Sequence, residues 1–408
     1  MESSNVLPQE LLDKIVDCLH NDLSSLKSCA LSFRSLLPRS QSHIFSHVHI
    51  SKTSPTSRLH AVLSQNPGLA KVIRELEISY PTLLDGYHPD LPHILHLVTS
   101  LESLSINLPG ASWINLSQDL QDALLGVFGS HALSSLSIVG LTSIPPRFLT
   151  LRKSLKFLRL HSISFAPADP SSDYSQMTCQ SLELSLWNAR NFLTENVESI
   201  ILPSGGLFSH IQVLTIHNIS RIVPLALPIM RYSLEHLVVI ELKDMEMVTD
   251  QSWFTFDFDM IPNLQRLAFS LGIISNVPQY FHSKSITTLR KLRNFVSINP
   301  SVSRIPTVRL SLTAHPITVG SPSGNWATIP EFLSNSSHWT ELDNVLDAGR
   351  RSASPGCRFE ISLELPFRNR SEVSTAEPYW RASIAYKMRL TDERGALFCE
   401  VKQLGNHE

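Results

Sequence analysis

Residues 133–138 read Leu133-Ser134-Ser135-Leu136-Ser137-Ile138, and this frame decides the fold: an apolar residue, two free positions, a Leu, one free position, another apolar residue. It precedes itself as Ile73-Leu76-Ile78 and Leu101-Leu104-Ile106. It follows as Leu155-Leu158-Leu160, Ile211-Leu214-Ile216, Leu234-Leu237-Val239 and Leu264-Leu267-Phe269. Looser copies are Cys179-Leu182-Leu184 and Ile305-Val308-Leu310, and successive copies start 22 to 41 residues apart. The last two apolar positions lie two residues apart, which puts both side chains on one face of a short strand. Such a strand is unstable alone, so neighbours must stack into a parallel sheet, with the intervening stretches as the return path. Several of those stretches read as helices. Ser117 is placed to cap one bearing Leu120, Leu124 and Phe128; Ile286, Leu289, Leu292 and Phe295 mark a second; Trp339, Leu342, Val345 and Leu346 mark a third. A conventional α/β domain with a parallel sheet satisfies the same pattern.

Composition narrows the classes. Of 408 residues 42% are hydrophobic and 17% charged, below the roughly 25% charged residues of an average domain, so this is not a charge-driven disordered chain. Lys and Arg number 34 against 36 Asp and Glu, net −2, which supplies no field for nucleic acid or an anionic membrane. No apolar run approaches the ~18 residues of a bilayer span. The N-terminus, MESSNVLPQELLDKIV, has no basic stretch followed by an apolar core, so no signal peptide is expected. Five cysteines, Cys18, Cys29, Cys179, Cys357 and Cys399, are odd in number, scattered and without a Cys-x-x-Cys. They form neither a disulfide framework nor a zinc site, and a reducing location, cytoplasmic or nuclear, is expected.

The first fifty residues are helical in pattern. Leu7, Leu11, Leu12, Ile15, Val16 and Leu19 share one helical face, with Pro8 in the first turn. Asp22 is a plausible N-cap for a second helix carrying Leu23, Leu26, Cys29, Ala30, Phe33, Leu36 and Leu37, and Pro38 opens a third through Ile44 and Phe45. Three short helices hold more apolar residues than their own core can hide, so the module should dock on something.

Leu7-Pro8-x-Glu10-Leu11-(x3)-Ile15-(x3)-Leu19, then Asp22-Leu23-(x2)-Leu26-(x2)-Cys29-Ala30-Leu31 and Arg34, resembles an F-box over about residues 5–50. It is similar to the fungal form, which continues as Leu37-Pro38-Arg39-Ser40 and His43-Ile44-Phe45 here. The chain departs from the family at Ser32 and Leu36, where Val and Trp are usual. The repeated frame resembles an irregular leucine-rich-repeat array, with apolar residues such as Leu141, Ile163, Ile219 and Leu242 where the usual Asn or Cys would follow the strand. The implied architecture is α/β. An F-box module at 5–50 leads to an irregular leucine-rich-repeat-like solenoid with a parallel sheet at 51–355, and C-terminal strands at 356–408 cap the sheet.

The resemblance implies a non-catalytic substrate-recognition subunit of an SCF-type cullin–RING ubiquitin ligase. Leu7, Pro8, Leu11, Ile15, Leu19, Leu23, Leu26 and Cys29 would form the face that docks on a Skp-type adaptor, and through it a cullin, or the support of that face. Strand positions between the inward apolar residues face the open side of the sheet. Of these, Phe157, Arg159, His161, Val213, His217, His236 and Arg266 are the expected contacts to an unknown protein substrate, because aromatic and Arg side chains dominate binding hot spots. No nucleic acid, membrane, metal or cofactor is expected. A repeat scaffold with no ligase link is the other reading, and an enzyme on an α/β domain a distant third.

Motifs for chemistry are missing. There is no G-x-G-x-x-G, P-loop or H-E-x-x-H, and GSPSG at 320–324 has Pro322 where a nucleophile elbow has Ser. His43, His47 and His49 have ligand-like spacing but no nearby Cys or acid in sequence, so a capping or surface role is expected. Asp257 and Asp259 read as solvated loop acids, and Arg290, Lys291 and Arg293 as the polar face of a helix. The stretches 167–175 and 320–324 read as loops. Beyond Pro355, Phe359-Ile361-Leu363-Leu365, Ile384-Tyr386-Met388-Leu390 and Leu397-Cys399-Val401 all alternate and read as strands.

Overall fold

A computed structural model describes residues 7–51, 53–80, 88–151, 154–167, 178–185, 210–217, 229–243, 257–274, 278–315, 326–350, 358–366 and 370–403. The loops expected at 167–175 and 320–324, apart from Pro167, and Ile219 and Cys357 lie outside them. The chain is α/β: among the described residues twelve strands, all parallel, follow one another in sequence order. Contacts divide it into two compact units, one with the described residues up to Cys179 and one with those from Gln180.

The first unit opens with α1 (Gln9–Asp17), α2 (Leu23–Ser32) and α3 (Leu37–Ser46). Strand β1 (His47–Ile50) follows α3 directly, and α4 (Thr53–Gln65) and α5 (Pro67–Ala70) lead to β2 (Glu75–Ser79). Then come α6 (Leu91–Leu97), β3 (Ser103–Ser112), α7 (Gln118–Phe128), β4 (Ser135–Thr142) and β5 (Ser154–His161). The expected N-cap at Ser117 is present: its side chain accepts from the Leu120 N–H. The repeated frame fixes the register. Leu76, Leu104, Leu136 and Leu158 align across β2 to β5, and Ile78, Ile106, Ile138 and Leu160 form the next row. All eight are buried. Strand β1 joins the same rows through Val48 and Ile50. That strand was missed, although Phe45-(x2)-Val48-x-Ile50 is the same frame one step earlier.

Between Asn107 and Ala111 the β3–β4 register shifts, a bulge at Pro109-Gly110. Gly140 lies against it with φ +73°, and a Cβ there would stand 2.5 Å from the Pro109 Cα. Gly140→Ala should therefore destabilise the fold by about 1–3 kcal/mol for the backbone conformation. The clash with main chain, which cannot rotate away, should add about 1–3 kcal/mol. A thermal midpoint unchanged from wild type would contradict this reading of the bulge.

The second unit carries β6 (Thr178–Ser185), β7 (Val213–His217), β8 (Val239–Lys243), β9 (Arg266–Ile274) and β10 (Thr307–His315). Helix α8 (Pro278–Ile298) connects β9 to β10. After α9 (Ile329–Ser334) and α10 (His338–Arg350) come β11 (Arg358–Leu365), α11 (Arg370–Lys387), α12 (Arg389–Asp392) and β12 (Leu397–Gln403). Leu184, Ile216, Leu242, Phe269, Leu310, Ile361 and Cys399 make one apolar row across β6 to β12. Phe269 meets Phe295 of α8 edge to face, with centroids 5.4 Å apart, which seats that helix on the apolar side.

Two expectations fail here. The β8 frame is Leu237-(x2)-Ile240-x-Leu242, not Leu234-Leu237-Val239, since Ile240 and Leu242 pair with Leu214 and Ile216. In the expected register the alternation 237, 239, 241 would turn Glu241 toward the core. Three residues later, Glu241 faces the open side, where Thr215 Oγ1 donates to it at 3.4 Å and Lys243 Nζ lies at 4.0 Å. The second failure is Ile384-Tyr386-Met388-Leu390, which is not a strand. Ile384 and Tyr386 lie in α11, and Leu390 in α12. Ala376, Trp380, Ile384 and Met388 are buried at four-residue spacing, while Tyr386 is 79% exposed. Period two and period four share residues 384 and 388, and the row starting at Ala376 decides between them.

No described helix is long and apolar enough to cross a membrane. Cys18, Cys29 and Cys399 are free thiols, and burial pushes the Cys399 thiol up to about 12.

Candidate docking site

The three N-terminal helices have a small core: Val16, Leu26 and Leu36, with Leu12, Leu19, Cys29 and Ile44 packed against it. Two apolar stripes run along α1 and the residues that flank it. Leu12, Val16 and Leu19 turn inward, and the adjoining stripe of Leu7, Leu11 and Ile15 turns to solvent, 51%, 45% and 50% exposed. On α2, Leu23 is also half exposed. Pro8 is exposed beside Leu7, and its carbonyl accepts the first N–H bonds of α1, from Leu11 and Leu12.

The expected adaptor contacts thus divide. Leu7, Pro8, Leu11, Ile15 and Leu23 are on the surface, Leu19 and Cys29 are partly buried, and Leu26 is core. Leu26 faces Val16 and Leu36, so of the two roles expected for these residues, docking face or its support, its position is that of a support. Leu31 and Phe33, 89% and 63% exposed, were not among the expected contacts. Phe33 is where α2 ends and the chain turns extended, so helical periodicity no longer describes its direction. The two family departures have local explanations. Leu36 is in the core, and Ser32 is exposed with its hydroxyl donating to the Ser28 carbonyl at 2.7 Å.

Polar bonds fix the helices. Asp22 caps α2 by accepting from the Ser25 N–H at 3.0 Å. Gln9 Nε2 donates to the Ser35 carbonyl at 3.0 Å. Asp17, at the end of α1, accepts from Arg39 Nε at 2.5 Å and Nη2 at 2.9 Å, and from His43 Nε2 at 2.7 Å, both on α3. His47 instead donates to Glu75 at 2.9 Å. Among the described residues no three His, Cys, Asp or Glu converge as a metal site.

The hydrogen bonds from Arg39 and then His43 lower the Asp17 carboxyl from its ordinary 3.8 to about 2. A carboxyl lowered on folding adds stability above its unfolded value and loses it as pH falls through the folded value. The gap in thermal midpoint between wild type and Asp17→Asn should be full above about pH 5, shrink below about pH 4 and close near pH 1, below both the unfolded and the folded value. A gap still open near pH 1 would assign the effect to something other than the ionised carboxylate.

The open face of the sheet is the second candidate surface. In the first unit Phe157 and Arg159 stand on it, across from Ser135 and Ser137, and His161 is across from Val139. In the second unit Val213, Val239 and Arg266 form one row, and His217 stands beside Lys243. His217 Nε2 donates to Glu183 at 2.9 Å. His236 is corrected: it precedes β8 and is not on the sheet, because the frame was read three residues early. Its ring lies 4.9 Å from that of His210.

The acids and bases singled out in sequence have structural partners. Asp257 caps a short turn by accepting from the Asp259 N–H. Asp259 pairs with Arg304, and Arg293 with Glu341. Lys291, expected on a polar face, is buried.

The chain matches no protein-family model and no curated protein.

Proposed function

We propose that this protein is a non-catalytic substrate-recognition subunit of an SCF-type cullin–RING ubiquitin ligase. Its N-terminal helices are an F-box that docks on a Skp-type adaptor, and its sheet is an irregular leucine-rich-repeat array whose polar face holds a protein substrate. The observation carrying this reading is the outer stripe of α1. Leu7, Leu11 and Ile15 stay half exposed although the module's core is already filled by Val16, Leu26 and Leu36. An apolar stripe of this kind on a small module is the mark of an interface.

The strand order supports a binding array over an enzyme. Among the described strands of each unit every strand adds beside its predecessor, without the reversal of strand order at which open α/β sheets form their ligand crevice. The contribution to ubiquitin transfer is then positioning, which raises effective concentration without supplying chemistry.

The test mixes the purified full chain with a purified Skp-type adaptor and follows the mixture by gel filtration. Co-elution is expected. Separate elution at micromolar concentrations would leave the scaffold reading, with no ligase link, in its place.

A further inference from the structure

We propose that the second unit carries a pocket for an anionic group on a short apolar body. The pocket lies on three consecutive segments that lead into strands, with Arg231 and Tyr232 on a helical turn of the second. His210 precedes β7; Arg231, Tyr232, Glu235 and His236 precede β8; Met260 precedes β9; together they line a cavity of about 500 Å³. That volume suits a small molecule or one large side chain.

The frame is fixed before any ligand arrives. The Val238 N–H donates to the Gln212 carbonyl at 2.8 Å, and the Gln265 N–H to the Val238 carbonyl at 2.8 Å. Asn263 Nδ2 donates to the Glu235 carbonyl at 2.6 Å. The three segments are thereby tied to one another at the point where their strands begin. His210 and His236 lie ring against ring, tilted by 42°.

The lining chemistry selects the ligand. Arg231 brings five N–H donors and His236 at least one. Only Glu235 is purely an acceptor. A donor-rich pocket is complementary to an acceptor-rich head such as phosphate or carboxylate. Leu234, Met260 and Pro262 line the remainder, and Met260 is 59% exposed, so an apolar body can lie against them. An aryl phosphate combines both parts. It can come as a free small anion or as a modified side chain of a bound protein.

This inference does not rest on the adaptor reading and survives its failure. The test follows histidine imidazole signals of the full chain by NMR during titration with phenyl phosphate. Inorganic phosphate and a phosphotyrosine peptide serve as parallel arms at constant ionic strength. His210→Gln and His236→Gln assign the two signals. Both should move saturably, with phenyl phosphate about three- to fourfold tighter than inorganic phosphate from its apolar contact. Arg231→Ala, at an exposed position, should weaken binding about tenfold by loss of the charge-assisted bonds. A peptide tighter than phenyl phosphate identifies a partner's side chain as the source, and a peptide no tighter identifies a free anion. No saturable movement with phenyl phosphate, or equal affinity in Arg231→Ala, would overturn the proposal.

Discussion

Replacing Leu11 and Ile15 together by alanine should remove co-purification with a Skp-type adaptor while leaving the fold intact. Each side chain is about half exposed, so docking has roughly half of its burial energy still to gain, about 1.5–3 kcal/mol for the pair. That corresponds to roughly 10- to 150-fold in Kd. Exposed positions of this kind change stability by about 0.5 kcal/mol or less. The thermal midpoint should then move by no more than about 2 °C. The control is Leu26→Ala. Leu26 is buried against Val16 and Leu36, and its truncation should cost about 2–5 kcal/mol and lose the adaptor through unfolding. Melting and pulldown read side by side separate the two cases. Undiminished adaptor binding by the double variant would remove the F-box reading.

Phe269→Ala should lower the stability of the second unit by about 3–5 kcal/mol. Phe269 is fully buried and sits in the apolar row between Leu242 and Leu310. Its ring also meets Phe295 of α8, so the truncation empties space on both the sheet and the helix side. The neighbouring Ser270 faces the other side of β9, and Ser270→Ala should change stability by about 0.5 kcal/mol or less. Urea unfolding measures both, and the midpoint should fall for Phe269→Ala with little change in slope. Equal midpoints for the two variants would mean that the apolar rows do not carry the unit.

Much of the sheet was legible because its signal is local. Leu-x-Ile at the right distance from a preceding apolar residue defines an inward pair whatever its neighbours are, and the frames at 73, 101, 133, 155, 211 and 264 all became strands in register. The frame at β8 was ambiguous because Leu234, Leu237, Val239, Ile240 and Leu242 satisfy it twice. Local pattern cannot choose between two apolar options. The adjoining strands can, because only one option leaves Glu241 beside Thr215 and Lys243. That shift moved His236 from the sheet to a loop, where it meets a histidine 26 positions earlier in the chain.

The helices show the same division. The N-cap of α2 at Asp22 and that of α7 at Ser117 were readable, since capping joins residues only three apart. The apolar excess on α1 was readable too. Which stripe of α1 would be covered was not, because Leu11 and Leu12 are equally apolar and only the packing of Val16 on Leu26 and Leu36 distinguishes them.

Sequence alone determined the class, α/β with a parallel sheet, since inward pairs and helical stripes are set by neighbours within a few residues. Tertiary structure alone decided which apolar side chains stay in water, which register β8 takes and which donors gather before β7, β8 and β9. The physical reason is the same throughout: burial and pairing depend on residues distant in the chain, and an amphipathic pattern states only that a face must be covered, not by what.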